Sequence, residues 1–190
     1  MRYLIRHTGQ VRLGDGGTAL ELRVVGYQFP DLEAGADPRD PDSWDSNWLV
    51  IDGSVRTAAG TSWSFQDPAL TTWEVAELAA WLEHVAAGAV PPATTPQEAE
   101  ATVRIEVVPD DDQLRAAGWL TFLEPNLSFA VGSQAGEQVE LLVAFSHGAA
   151  GTLIDAHRPT RSHITIATTT QHVHDVAEAL HEQLVTYPAR

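Results

Sequence analysis

The chain has 190 residues, 11 of them basic and 26 acidic, giving a formal net charge of −15 and a sequence pI near 4.7. It contains no cysteine, which excludes a disulfide framework, a thiolate nucleophile and a cysteine-ligated zinc. Every basic residue is arginine, which excludes Schiff-base lysine chemistry and a phosphate loop with its lysine, and the negative balance disfavours direct binding to nucleic acid or an anionic membrane.

A chain of this length buries roughly 70% of its unfolded surface, so a single domain spanning 1–190 needs neither metal nor disulfide for stability. Residues 1–7 hold too few apolar side chains between charges for a signal-peptide core. No later run approaches the ~20 apolar residues that span a bilayer, and the expected location is the cytoplasm.

In chain order, Tyr3 to Leu13 reads as an opening strand or two, broken at Gly9. Gly14 to Gly17 is a turn and Ala19 to Tyr27 a strand; with a strand following and no GxGxxG spacing, the glycines make a hairpin rather than a phosphate loop. Pro30 to Ser46 is a proline-punctuated acidic loop carrying Asp31, Glu33, Asp37, Asp40, Asp42 and Asp45 against one cation, Arg39. It lacks the spacing of a calcium loop. Its length suits a solvated loop or a contact surface for a basic partner, with Trp44 as an anchor.

Asn47 to Val55 and Thr61 to Gln66 alternate as strands, the second stopped by Asp67-Pro68. Thr71-Thr72-Trp73-Glu74 has the form of a capping box, with Leu70 placed to pack on Val75, and predicts a helix. Its inner stripe is Val75, Leu78, Ala79, Leu82 and Val85, and Gly88 ends it. Residues 89–101 form a proline-rich connector. Strands follow at Thr102 to Val108, Trp119 to Leu123, Leu127 to Gly132, Glu137 to Phe145 and Ser162 to Ala167. Turns lie at Pro109 to Asp112 and Gly132 to Gly136, and loops at Ser146 to Gly151 and Asp155 to Arg161. Gln171 to Val185 is an amphipathic helix with Val173, Val176, Ala177, Leu180 and Leu184 inward. There is no internal sequence repeat. The expected fold class is α+β, a mainly antiparallel sheet with two amphipathic helices packed against it.

The chemistry-bearing candidates are weak. On the last helix His174, Glu178, His181 and Glu182 share one outward face that could hold a divalent metal, but charges opposite an apolar stripe are what any surface helix shows. His181-Glu182 opens like a zinc-protease signature, yet Val185 stands where the second histidine is required. Gly60 to Ser64 lacks the closing glycine of a nucleophile elbow, and Ser146-His147 are neighbours in sequence only. No cofactor is expected.

Val25 to Asp31, Asp42 to Leu49, Gly60 with Trp63 to Phe65, Leu70 to Leu82, and Phe122 to Phe129 resemble corresponding blocks of the WapI-type immunity proteins. The resemblance spans roughly residues 20–145 and carries no catalytic residue. It implies a non-enzymatic bacterial protein that protects its cell from a WapA-like toxin, a tRNA-cleaving nuclease. An acidic protein can occupy the basic cleft of such a nuclease, so the implied partner is a basic toxin domain. Asp31, Glu33, Asp37, Asp40, Asp42, Trp44 and Asp45 are the candidate contact residues. The alternative is a metal-dependent enzyme or small-ligand binder using His174, Glu178 and His181.

Overall fold

The computed structural model describes residues 9–14, 17–33, 41–93, 111–153 and 162–190. Two four-stranded antiparallel sheets are present where one was expected. The first is β1 (Gln10–Leu13), β2 (Ala19–Tyr27), β3 (Trp48–Arg56) and β4 (Ser62–Thr71), in that order, with α1 (Pro41–Asn47) between β2 and β3. It runs directly into α2 (Thr72–Ala86). After α3 (Asp111–Ala116), the second sheet is β5 (Leu120–Thr121), β6 (Leu127–Ala135), β7 (Gln138–Phe145) and β8 (Ser162–Thr169), with a 3-10 segment at His147–Leu153. It runs directly into α4 (Thr170–Thr186). Four strands and a helix thus occur twice, a repetition of backbone with no repeated sequence behind it.

The strand patterns explain the layers. Leu20, Leu22 and Val24 of β2, Leu49, Ile51 and Val55 of β3, and Trp63 and Phe65 of β4 are buried on one face. Gly53 holds its place in that row because the Phe65 ring covers it; a Cβ there would stand 2.2 Å from the ring. Trp63 and Phe65 meet Phe145 of β7 edge-on, at 5.3 and 6.3 Å between ring centroids, and so join the two sheets. The Trp63 indole N–H donates to the Ala149 carbonyl at 3.0 Å. Trp81 of α2 lies 6.4 Å from Phe129 of β6. From α4, Gln183 Oε1 accepts from the Val24 amide at 2.7 Å, just past the end of β1's pairing with β2. One buried cluster therefore draws on both sheets and both long helices.

Several elements differ from expectation for local reasons. Asp67-Pro68 does not stop β4, because β4 is an edge strand and a bulge at Ala69 takes up the extra residue, pairing Pro68 with Val50 and Leu70 with Leu49. The acidic loop ends in α1, so Asn47 is helical and β3 begins at Trp48. Of Trp119 to Leu123 only two residues pair. β6 passes through Gly132 to Ala135 on a bulge, and its turn centres on Gly136 (φ +60). Asp111 and Asp112 open a helix, and the expected loop after Ser146 is 3-10. The expected strand at Thr102 to Val108, the loop at Asp155 to Arg161, residues 3–8 and the connector beyond Ala93 lie outside the described residues.

The capping box at α2 is complete. Thr71 Oγ1 accepts from the Glu74 amide at 3.2 Å, and Glu74 Oε2 accepts from the Thr71 amide at 2.7 Å. At the other end the Gly88 amide bonds Val85 O and the Ala89 amide bonds His84 O, a Schellman closure that uses Gly88 at φ +71. All five residues of the predicted inner stripe are buried. Glu74 does more than cap, since its Oε1 accepts from the Leu123 amide at 2.6 Å, between the sheets. Thr71→Ala should therefore cost about 1 kcal/mol. Glu74→Ala should cost roughly 2–3 kcal/mol, because two amides lose a charged acceptor. Urea unfolding of the two variants checks the order, and equal losses would contradict it.

Candidate functional site

The start of α2 fixes two walls of a surface groove. Through Glu74 it holds Leu123, and with it the turn bearing Glu124, Pro125 and Asn126. Through Thr72 it holds α1: Thr72 Oγ1 donates to Asn47 Oδ1 at 3.1 Å, and Asn47 is fully buried. Asn47 also accepts from the Arg190 amide and donates to the Arg190 carbonyl, both at 2.8 Å. The Arg190 guanidinium stacks 3.9 Å from the centre of the Tyr27 ring and donates to the carbonyls of Phe29, Pro30 and Ser46. Both ends of the acidic segment are thereby pinned by one arginine that sequence reading did not single out. Its distance along the chain, 160 residues from Pro30, hid it.

Between these walls lies an open groove of about 460 Å³. Phe29, Trp48 and Pro68 give it apolar surface; Asp45, Asp67 and Glu124 give it carboxylates; Gln28, Asn126 and His147 complete it. Among the described residues no arginine bonds any of the three carboxylates. Asn126 is 4% exposed and its Oδ1 has no donor, although its backbone carbonyl accepts from Ser146. Asp67 lies against Gly148, where a Cβ would stand 1.9 Å from Oδ2, so only glycine permits this approach. His147 occupies the left-handed region at φ 49, uncommon for a non-glycine residue, and this turn corrects the expectation that Ser146 and His147 are neighbours in sequence only, since it brings His147 Nδ1 to 3.2 Å from Ser146 Oγ. The Ser146 hydroxyl in turn donates to the Pro125 carbonyl.

Of the contact residues expected from sequence, Asp45 lines the groove, and Asp31 and Glu33 are exposed beyond β2. Trp44 on α1 is half-buried with an interaction of its own. Asp42 is in α1 with its side chain outside the description, and Asp37 and Asp40 lie outside the described residues. The histidine face of α4 is exposed but does not converge. His174 faces Glu178 at 3.6 Å, while His181 reaches across to Glu83 of α2 at 3.3 Å. Among the described residues no group of three or more His, Cys, Asp or Glu could hold a metal.

The fold and groove define an acidic α+β protein with an open, carboxylate-lined groove on its surface. Its sequence matches the Immunity protein WapI-like family over residues 11–188, and the chain belongs to that family. Membership gives it a toxin-neutralising role and a protein toxin as partner. No curated protein matches it. None of the described helices is long and apolar enough to cross a membrane.

Burial raises the Asp67 carboxyl above its ordinary 3.8, with His147 pulling the other way. A raised folded value means that ionisation destabilises the fold: the cost is absent below the unfolded value and grows as pH rises through the folded one. Asp67→Asn removes this cost. Its melting temperature relative to wild type should therefore improve as pH is raised from 3.8 through the acidic range, and a pH-independent difference would contradict the assignment.

Proposed function

We propose that this immunity protein acts by binding alone, as a single cytoplasmic domain that presents acidic surface to the basic, phosphate-binding face of a nuclease-type toxin domain. The observation that carries this reading is the set of carboxylates in the groove with, among the described residues, no arginine bonded to them, on a chain of net charge −15. A nuclease must attract a phosphate backbone, and the same cationic surface attracts a protein with anionic side chains in fixed positions. The acidic segment with Asp31, Glu33, Asp37, Asp40, Asp42, Trp44 and Asp45 belongs to the same proposed contact surface, and Asp45 of that segment lines the groove. Close charge pairs across a measured nuclease–inhibitor interface couple by roughly 1.5–7 kcal/mol, enough to dominate affinity.

The test is titration with a cognate toxin domain, across a range of ionic strength. The association constant should fall steeply with added salt, and the toxin's RNA cleavage should cease at one equivalent. Affinity that does not respond to salt would remove the electrostatic basis of the proposal. A toxin with no nuclease activity would remove its class assignment.

A further inference from the structure

We infer that β8 is a pairing edge for a second copy of this chain, joining the second sheets of two molecules into one continuous sheet about a two-fold axis at Thr165. The edges of the sheets are treated unequally. β1 is four residues long, lies against α4, and its Arg12 carbonyl accepts from His172 Nε2 at 2.8 Å. β4 carries Pro68 and a bulge and is covered by the 3-10 segment. β5 is two residues long, and beyond it the Val131 carbonyl of β6 accepts from the Ala93 amide at 2.7 Å. Such devices keep sheets from pairing with other chains. β8 has none of them: its eight residues pair with β7 without a bulge, and they include no proline, arginine, aspartate or glutamate.

The phase of its hydrogen bonds shows which groups are open. The Thr170 amide donates to the Glu137 carbonyl at 2.9 Å, and hydrogen-bonded pairs alternate along an antiparallel ladder, so Ile164, Ile166 and Thr168 turn their N–H and C=O groups toward β7. His163, Thr165 and Ala167 turn theirs outward, and among the described residues nothing hydrogen-bonds them there. The side chains of these three are exposed. A two-fold axis at Thr165 sets Thr165 against itself and His163 against Ala167 of the other copy, so each outward group meets its complement and pairing closes at two chains. Charge selects this occupant over a basic partner. Ser162 to His174 hold no carboxylate on a chain of net charge −15, so a cationic protein is drawn elsewhere, whereas a second copy meets no like charge in the strand itself. Glu140, opposite Ala167, stands one strand back; it is separated from its counterpart by at least three strand spacings, about 14 Å, beyond the Debye length at physiological salt.

Sedimentation of the 20.6 kDa chain should show a monomer–dimer equilibrium in the micromolar-to-millimolar range, and added salt should tighten it by screening the charge on each copy. The toxin contact proposed above should weaken with salt, so the two are separable. Backbone amides of His163, Thr165 and Ala167 should exchange with solvent slowly in concentrated protein and fast on dilution. Thr165→Pro removes one outward N–H and no bond to β7, and should abolish the dimer while the variant still melts cooperatively. Thr165→Lys and Thr165→Glu each set like charges opposite one another and should be monomeric alone, whereas their equimolar mixture should dimerise. That result requires the axis at Thr165 and does not depend on the proline variant folding. A monomer at every concentration, dimers that survive all three substitutions, a lysine–glutamate mixture that stays monomeric, or assemblies that grow past two chains would each overturn the inference. So would a monomeric wild type whose toxin binding is lost in both charged variants, since the edge would then belong to the toxin.

Discussion

The buried carboxylate of Glu74 bonds in two directions at once, to the first turn of its own helix and to the Leu123 backbone between the first two strands of the second sheet. Removing a charge from water is costly unless every lone pair direction finds a donor. Here the donors are the Thr71 amide, the Thr71 hydroxyl and the Leu123 amide, all supplied by backbone and side chains that the fold already fixes. Two residues before it, Thr72 ties the same helix end to Asn47 and through it to Arg190. The groove owes its shape to this junction, since one wall hangs from Glu74 and the other from Thr72.

This junction was legible because its signal is local. Thr71, Glu74 and the stripe from Val75 to Val85 lie within 15 residues, and a capping box followed by helical periodicity has few other readings. The last helix was legible for the same reason, except at Gln183, a polar residue that is buried because it meets the free amide of Val24. The continuation of β4 through Pro68 was not legible, because only the sheet order reveals that this strand is an edge. The groove itself was hidden for a stronger reason. Asp45, Asp67, the Glu124–Asn126 turn and His147 sit on four separate stretches of chain, and nothing in their local sequence distinguishes them from other polar residues. Sequence reading found the acidic segment by its density of aspartates; among the described residues of that segment, Asp45 is the one that lines the groove.

On the first sheet this protein pairs its charges across strands. Arg12 meets Glu21, and Arg23 meets Asp52, each pair directly opposite in register on the outer face of the first sheet. Such exposed pairs contribute little to stability, on the order of 0–1 kcal/mol each. Their consequence is that this face presents neutralised charge.

The groove carboxylates have the opposite status. Burial already raises the Asp67 carboxyl, with only His147 opposing it. An anionic site that is partly desolvated before a partner arrives has less hydration left to lose when a cation enters, so a larger share of the Coulombic attraction survives as net affinity. Pinning the groove walls in advance acts in the same direction, because side chains already held lose less freedom on docking. In the proposed contact, the bonds from Arg190 to Phe29, Pro30 and Ser46 would bear on recognition as well as on folding. They hold the edge of the groove in place, at a point where an acidic segment left to its own repulsion would spread into solvent.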